Sequence, residues 1–174
     1  MTMEKLTQRI NQIGDLMVRR NLQLVLEKIY KRLGNVTLTT PNLTTATTNT
    51  KIKSQADYYG FVGGILVKKA ATDNLITLTT SANTTNAYFN VVVFTINSSG
   101  TITNRYGTQG STLAAMTWPS LPSEEAVFGI LLLNPTGTGD FVGGTTPMAD
   151  ATVVPNAVYI SPTGANSFNA IANL

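Results

Sequence analysis

Short stretches of alternating hydrophobic and polar residues dominate the chain after residue 50, and the clearest spans residues 87–103. There an aromatic and β-branched run is followed by the turn sequence Asn97-Ser98-Ser99-Gly100 and a second alternating stretch. Such residues fit a pleated, half-buried surface, and the Asn/Ser/Gly cluster supplies the positive φ of a tight turn. The pattern predicts a β-hairpin. Because similar stretches recur up to residue 160, we expect a mainly β domain, built as an antiparallel β-sandwich or barrel.

Two further stretches indicate how strands are arranged in this domain. Residues 126–134 are almost continuously apolar, which is typical of a strand that is buried on both faces. Residues 51–59 alternate only weakly, and Lys51 and Lys53 would protect an exposed strand from pairing with another chain. We therefore expect a buried strand at 126–134 and an edge strand at 51–59.

Residues 3–33 have helical periodicity. Apolar residues at alternating spacings of three and four form a short coiled-coil seam: Met3, Leu6, Ile10, Ile13 and Met17. The phase breaks at Arg20, and a second apolar series runs through Leu22, Val25/Leu26, Ile29 and Leu33. The segment is either an amphipathic helix packed on its own domain or a helix that meets copies of itself or a partner.

Residues 35–50 are rich in threonine, contain one proline and carry no charge. β-Branched residues and proline disfavour a helix, so we expect an extended backbone. This segment is either a loose linker or an arm that adds strands to a neighbouring subunit. The predicted organisation is a helical segment at 1–34, the extended arm or linker at 35–50 and a β domain at 51–174.

The composition excludes several classes of chemistry. The chain has neither cysteine nor histidine, which removes disulfides, thiolate ligands, Ser-His-Asp triads and almost every zinc site. Seven of the twelve basic residues lie in residues 1–34, whereas the β domain has more acids than bases, so we expect no nucleic-acid partner. The apolar stretch at 126–133 is far below the length of a membrane span, and no signal peptide is expected.

Candidate sites for chemistry are weak. Glu124 and Glu125 are adjacent, so on a strand they point to opposite faces and cannot act as an acid/base pair. Three aspartates, Asp73, Asp140 and Asp150, could build a calcium site only if the fold brought them together. The cluster Asp57-Tyr58-Tyr59 could stack a sugar but more often belongs to a core. We expect a non-enzyme with no cofactor and no metal.

The single tryptophan lies in a proline-rich loop at 107–123, where it either anchors the loop on its own core or serves an interface. The candidate oligomer and partner interface residues are Met3, Leu6, Ile10, Ile13, Met17, Leu24 and Trp118.

Several stretches of the chain resemble small head proteins of tailed bacteriophages. They begin at Tyr58-Tyr59-Gly60-Phe61 and continue through VVVFTINSSG at 91–100, LPSEEAVFGI at 121–130 and FVGGTTP at 141–147. The similarity covers roughly residues 57–160 and consists of a pattern of strand and turn types. The Thr-, Asn- and Gly-rich composition and the helical N-terminal segment resemble the same group.

The resemblance implies a capsid decoration (cement) protein on the exterior of a phage head. Its partners would be further copies of itself, commonly as a trimer, and the major capsid protein, with no nucleic acid and no membrane. The alternative is a tail or head fibre whose loops at 107–123 and 135–147 recognise host surface glycans. A virion enzyme that degrades the cell wall would need paired carboxylates across a cleft, and the sequence offers no obvious pair.

Overall fold

The computed structural model describes residues 20–24, 34–135, 137–155, 157–162 and 164–165. Residues 34–165 of this described part contain eleven short strands and one turn of 3₁₀ helix. The strands are β1 Val36–Thr37, β2 Leu43–Thr45, β3 Lys51–Ser54, β4 Tyr58–Val62, β5 Ile65–Lys69, β6 Ile76–Thr77, β7 Asn90–Asn97, β8 Ile102–Tyr106, β9 Glu125–Leu133, β10 Val158–Ile160 and β11 Gly164–Ala165. The 3₁₀ turn spans Thr80–Ala82.

The strands form three antiparallel sheets. Sheet I has the order β11-β1-β4-β5, sheet II the order β10-β9-β7-β8, and sheet III the order β2-β3-β6. The expectation of a mainly β, antiparallel domain is confirmed. None of the three sheets closes into a barrel within the described ranges.

The predicted hairpin is confirmed as β7 and β8 of sheet II. Ile96 pairs with Ile102 at its closed end, and Gly100 adopts a positive φ of 78°. The Asn97 side chain fixes the turn, because its Oδ1 accepts hydrogen bonds from the backbone amides of Ser99 at 3.1 Å and Thr101 at 2.9 Å. Local sequence therefore determines this element.

Strand β9 runs through the interior of sheet II, between β7 and β10, and the expectation of a buried strand is confirmed. Its register against β7 shifts between Phe94 and Thr95, where Phe128 is the extra residue of a β-bulge. The Phe128 ring lies 5.0 Å from the ring of Tyr58 in sheet I. Gly60 leaves room for this contact, because a side chain there would collide with the Tyr58 ring.

The larger hydrophobic core draws residues from all three sheets. Its buried members are Leu43, Ile52, Tyr58, Val62, Val67, Ile76, Leu78, Ala82, Val92, Phe94, Ile96, Ala126, Phe128, Leu131, Leu133, Phe141, Met148 and Val154. Sheets I and II are also joined by a polar contact, since the buried Thr37 hydroxyl donates to the Val127 carbonyl at 2.9 Å.

A smaller core covers the opposite face of sheet II. Its buried members are Val91, Val93, Met116, Val127 and Ile130. The loop that follows β8 folds over them, and two backbone hydrogen bonds of 3.0 Å between Thr108 and Thr117 close this loop. Trp118 is partly buried against the same cluster.

The expectation that residues 35–50 are a linker or an arm reaching a neighbour is wrong for a single chain. β1 pairs with β4 and β11, and β2 pairs with β3, so both strands belong to sheets of their own domain. Leu43 enters the larger core, and Asn35 is buried. The β domain therefore includes residues 35–50 rather than beginning at residue 51.

The expectation of an edge strand at 51–59 is also wrong. β3 occupies the middle of sheet III, and β4 lies between β1 and β5 in sheet I. β3 pairs with β2 of the threonine-rich segment and with β6, and β4 pairs with β1 of that segment and with β5. Lys51 and Lys53 are only half-buried because they alternate with the inward-facing Ile52.

Residues 20–24 are helical, and they include Arg20, where the sequence pattern changes phase. The helical segment at 1–34 as a whole stays a prediction. Leu24 is 49% exposed and Leu22 is 38% exposed in the single chain. The remainder of the predicted segment, including the seam residues Met3, Leu6, Ile10, Ile13 and Met17, lies outside the described residues.

Candidate interaction surface

An apolar surface covers the outer side of sheet I. Alternation along β4 turns Tyr58, Gly60 and Val62 inward and Tyr59 and Phe61 outward. The register then places neighbours beside them: Leu66 is paired with Phe61 on one side, and Val36 is paired with Phe61 on the other. Leu38 follows β1, and its backbone amide donates to the Tyr59 carbonyl at 2.9 Å. We call Val36, Leu38, Tyr59, Phe61 and Leu66 the apolar face.

The apolar face is open to solvent in the single chain. Leu38 is 50% exposed, Phe61 38% and Leu66 57%, and Ile65 at the adjoining turn is 56% exposed. A smaller apolar pair, Val158 and Ile160, lies on strand β10. A contiguous apolar patch that is exposed to solvent often marks a binding site.

The charged groups beside the apolar face are paired within the chain. The Lys68 ammonium lies 3.1 Å from the Asp57 carboxylate and 5.4 Å from the centre of the Tyr59 ring. A hydrogen bond from the Ala71 amide, together with Lys68, lowers the pKa of Asp57 below its ordinary value. Contacts with Tyr59 and Asp57 raise the pKa of Lys68. Near neutral pH this edge of the face therefore carries one positive and one negative charge.

The aspartates considered as calcium ligands serve separate loops. Asp73 accepts from the Thr47 amide at 3.0 Å, and Asp140 accepts from the Asn86 amide at 2.8 Å. Asp150 accepts from the hydroxyl and amide of Thr152. Among the described residues, no three His, Cys, Asp or Glu side chains come together in a way that could hold a metal ion.

Glu124 and Glu125, the adjacent acids considered as an acid/base pair, have different surroundings. Glu125 forms a partly buried ion pair. Its carboxylate lies 2.6 Å from the Arg105 guanidinium and also accepts a hydrogen bond from the Thr95 hydroxyl. Glu124 is exposed and accepts only from the neighbouring Ser123 hydroxyl at 3.3 Å. The two carboxylates therefore serve different roles and do not face each other as a pair.

The two tyrosines of the aromatic cluster at 57–59 have different locations, one in the core and one on the surface. Tyr58 is completely buried against Phe128, so it is not available to stack a sugar. Tyr59 lies on the apolar face with Lys68 over its ring. The missed surface had a signal in the sequence, since YYGFV is apolar at both its inward and its outward positions.

The predicted receptor loops meet at one end of sheet II through the loop at 83–89. Thr84 forms an isolated bridge with Phe141, and Phe89 forms one with Gly110. Tyr88 in this loop cluster is 38% exposed. Trp118 packs against the smaller core, as does Phe89 of this loop cluster.

Comparison with models of protein families, with curated protein sequences and with solved structures gave no match. No helix within the described residues is long and apolar enough to cross a membrane. Function is therefore inferred from the surfaces of this chain and from the resemblance of its strand and turn pattern.

Proposed function

We propose that this chain is a non-enzymatic structural protein of a bacteriophage virion, a decoration protein that self-associates and binds the outer surface of the head. The apolar face of sheet I is the observation that carries this proposal. A sheet whose inner side already packs on the core gains nothing from apolar residues on its outer side unless a partner covers them. Four aspartates accept hydrogen bonds from backbone amides of the same domain: Asp57 from Ala71, Asp73 from Thr47, Asp140 from Asn86 and Asp150 from Thr152.

The resemblance of residues 57–160 to small phage head proteins directs the proposal toward the capsid. A protein that binds the assembled shell, and binds its dissociated subunits less well, stabilises the shell by mass action. The physical task is to present a fixed surface, and a catalytic group is not needed for it.

We infer that sheets I and II pack as a sandwich, which holds this surface in a fixed position. The Tyr58–Phe128 contact and the hydrogen bond from Thr37 to Val127 support this arrangement, because each joins a residue of sheet I to one of β9. A sandwich leaves the outer side of sheet I free for a partner.

Co-sedimentation of the full chain with empty mature capsids tests the proposed function. Intact host cells and unassembled major capsid protein serve as parallel samples. We expect saturable binding to the assembled capsids and a rise in the temperature at which those capsids release their contents. Binding to cells without binding to capsids would contradict the proposal and identify a receptor-binding protein.

The receptor-binding alternative is favoured by one observation, the joined loops at 83–89, 107–110 and 135–143. Hydrogen bonds fix these loops relative to one another, and Tyr88 presents an exposed ring among asparagine and threonine side chains. An aromatic ring beside polar groups suits the stacking of a sugar. In this case Tyr88→Ala would abolish binding to cells and leave binding to capsids unchanged.

A further inference from the structure

We propose that the apolar face of sheet I is the surface through which two copies of this chain associate, with the face of one copy against the face of the other. This inference rests on the self-association in the proposed function, but it requires neither a capsid nor a host cell. The expected contact is isologous, so the same residues contribute from both copies.

The size of the apolar face suits the centre of a protein interface. Strands β4 and β5 are each five residues long, and the two-residue β1 lies beside them. At about 4.8 Å between strands and about 3.3 Å per residue, the face measures at most roughly 15 by 17 Å. A standard interface buries about 800 Å² from each partner, with an apolar centre and a polar rim. The apolar face supplies such a centre, and the threonine-rich segments around it supply a rim.

The charges next to the apolar face favour a second copy over a strongly charged partner. Lys68 is neutralised by Asp57, and the other lysine of β5, Lys69, donates to the Gly100 carbonyl at 3.3 Å. Apposed faces would therefore not set unpaired lysines against each other. A strongly acidic or basic surface would find no opposite charge here to pair with, whereas an identical apolar face matches this one.

The described part of the chain offers no cover for these side chains. The inward residues of the same strands, Val62 and Val67, already lie in the larger core. Leu66 remains 57% exposed with that core complete. Burial of the apolar face therefore requires a surface beyond the described part of this chain, and a second copy brings an identical apolar face.

Leu66→Glu in the full chain tests this proposal, and Leu113→Glu is its matched control. Leu113 is 54% exposed, almost the same as Leu66, but it lies in the loop after β8. Sedimentation equilibrium over a range of concentrations gives the dissociation constant of each variant. We expect Leu66→Glu to raise this constant at least about tenfold, because two copies each lose a buried leucine, and Leu113→Glu to change it less than about twofold.

Cysteine cross-linking gives a second, independent measurement, because the natural chain has no cysteine. A flexible bis-maleimide linker should join the two copies of Leu66→Cys, because the face measures at most roughly 15 by 17 Å, whereas Leu113→Cys should remain single. A monomeric wild-type chain, or an oligomer in which Leu66→Cys does not cross-link and Leu66→Glu has no effect, would overturn the proposal. Loss of capsid binding in Leu66→Glu with unchanged self-association would also overturn it and assign the face to the shell.

Discussion

Asn35 connects three parts of the chain through one buried side chain. Its Nδ2 donates to the carbonyls of Ser123 at 2.7 Å and Glu125 at 3.1 Å, and its Oδ1 accepts from the Gly63 amide at 2.8 Å. Asn35→Ala would remove these three hydrogen bonds from a partly buried site, at a cost of about 2–4 kcal/mol in the free energy of unfolding. Urea denaturation followed by tryptophan fluorescence measures this loss.

Asn49→Ala is the control for the Asn35 substitution. Asn49 is exposed, and its bond to Met148 uses the backbone carbonyl, which the substitution keeps. The control should change the free energy of unfolding by less than about 0.5 kcal/mol. Equal effects of the two substitutions would show that the Asn35 side chain does not join these segments.

Three aspartates make the stability of the domain depend on pH. Hydrogen bonds from the Ala71 amide to Asp57, and from Thr47 and Thr152 to Asp73 and Asp150, lower each pKa below the ordinary value of 3.8. A lowered folded-state pKa contributes stability that is complete above the unfolded value and is lost as pH falls through the folded value. We expect the urea midpoint to fall between about pH 5 and about pH 2.

The triple substitution of these aspartates by asparagine tests the assignment of that pH dependence. Asparagine keeps an acceptor oxygen but does not titrate in this range. The variant should therefore lose less stability than the wild-type chain between about pH 5 and about pH 2. An unchanged pH slope would mean that other carboxylates cause the acid loss.

At the scale of elements, the sequence predicted the strands that are determined by nearby residues, either by a turn sequence or by a run of apolar side chains. The β7–β8 hairpin has its turn residues in place, and β9 has an uninterrupted apolar run. The segment at 35–50 was missed because polar side chains fix it. The Thr37 hydroxyl donates a hydrogen bond to Val127 of β9, which is distant in the sequence. The pattern of hydrophobic residues cannot predict such a bond.

The apolar face was hidden in the sequence for a related reason. An apolar residue on a strand has the same pattern whether it faces a core or a partner, and only the fold separates Val62 from Phe61. The interface candidates taken from helical periodicity lie mostly outside the described residues, whereas Trp118 packs partly on its own domain. The sequence therefore predicted the class of the domain better than the location of its surface.

The contact between Tyr58 and Phe128 joins sheet I to the bulge of sheet II. Because an aromatic pair contributes beyond the area that it buries, Tyr58→Leu and Phe128→Leu should be coupled by about 0.5–1.5 kcal/mol. A double-mutant cycle of unfolding free energies measures this coupling. Phe141→Leu combined with Tyr58→Leu is the control, since Phe141 shares the core but has no ring contact with Tyr58 among the described pairs. Additive effects in the first cycle would show that the ring contact contributes no coupling energy.

At the scale of the whole molecule, the described charged and apolar side chains are distributed differently. Four of the described charged side chains form two ion pairs, Arg105 with Glu125 and Lys68 with Asp57. The apolar residues, by contrast, extend beyond the core onto the outer side of sheet I. The outer side of sheet I is therefore the exposed apolar surface to which the proposed contact is assigned.

The assignment of residues 35–50 to the domain predicts where the chain can be shortened. A chain that begins at Gly34 keeps β1, β2, the Asn35 bonds and the buried Leu43, so it should unfold cooperatively. A chain that begins at Lys51 loses all of them and leaves β3 and β4 without a neighbour on one side, so it should aggregate or remain unfolded. Circular dichroism melting curves of both proteins give the comparison. If the chain from Lys51 melted as cooperatively as the chain from Gly34, residues 35–50 would be an appendage and not part of the fold.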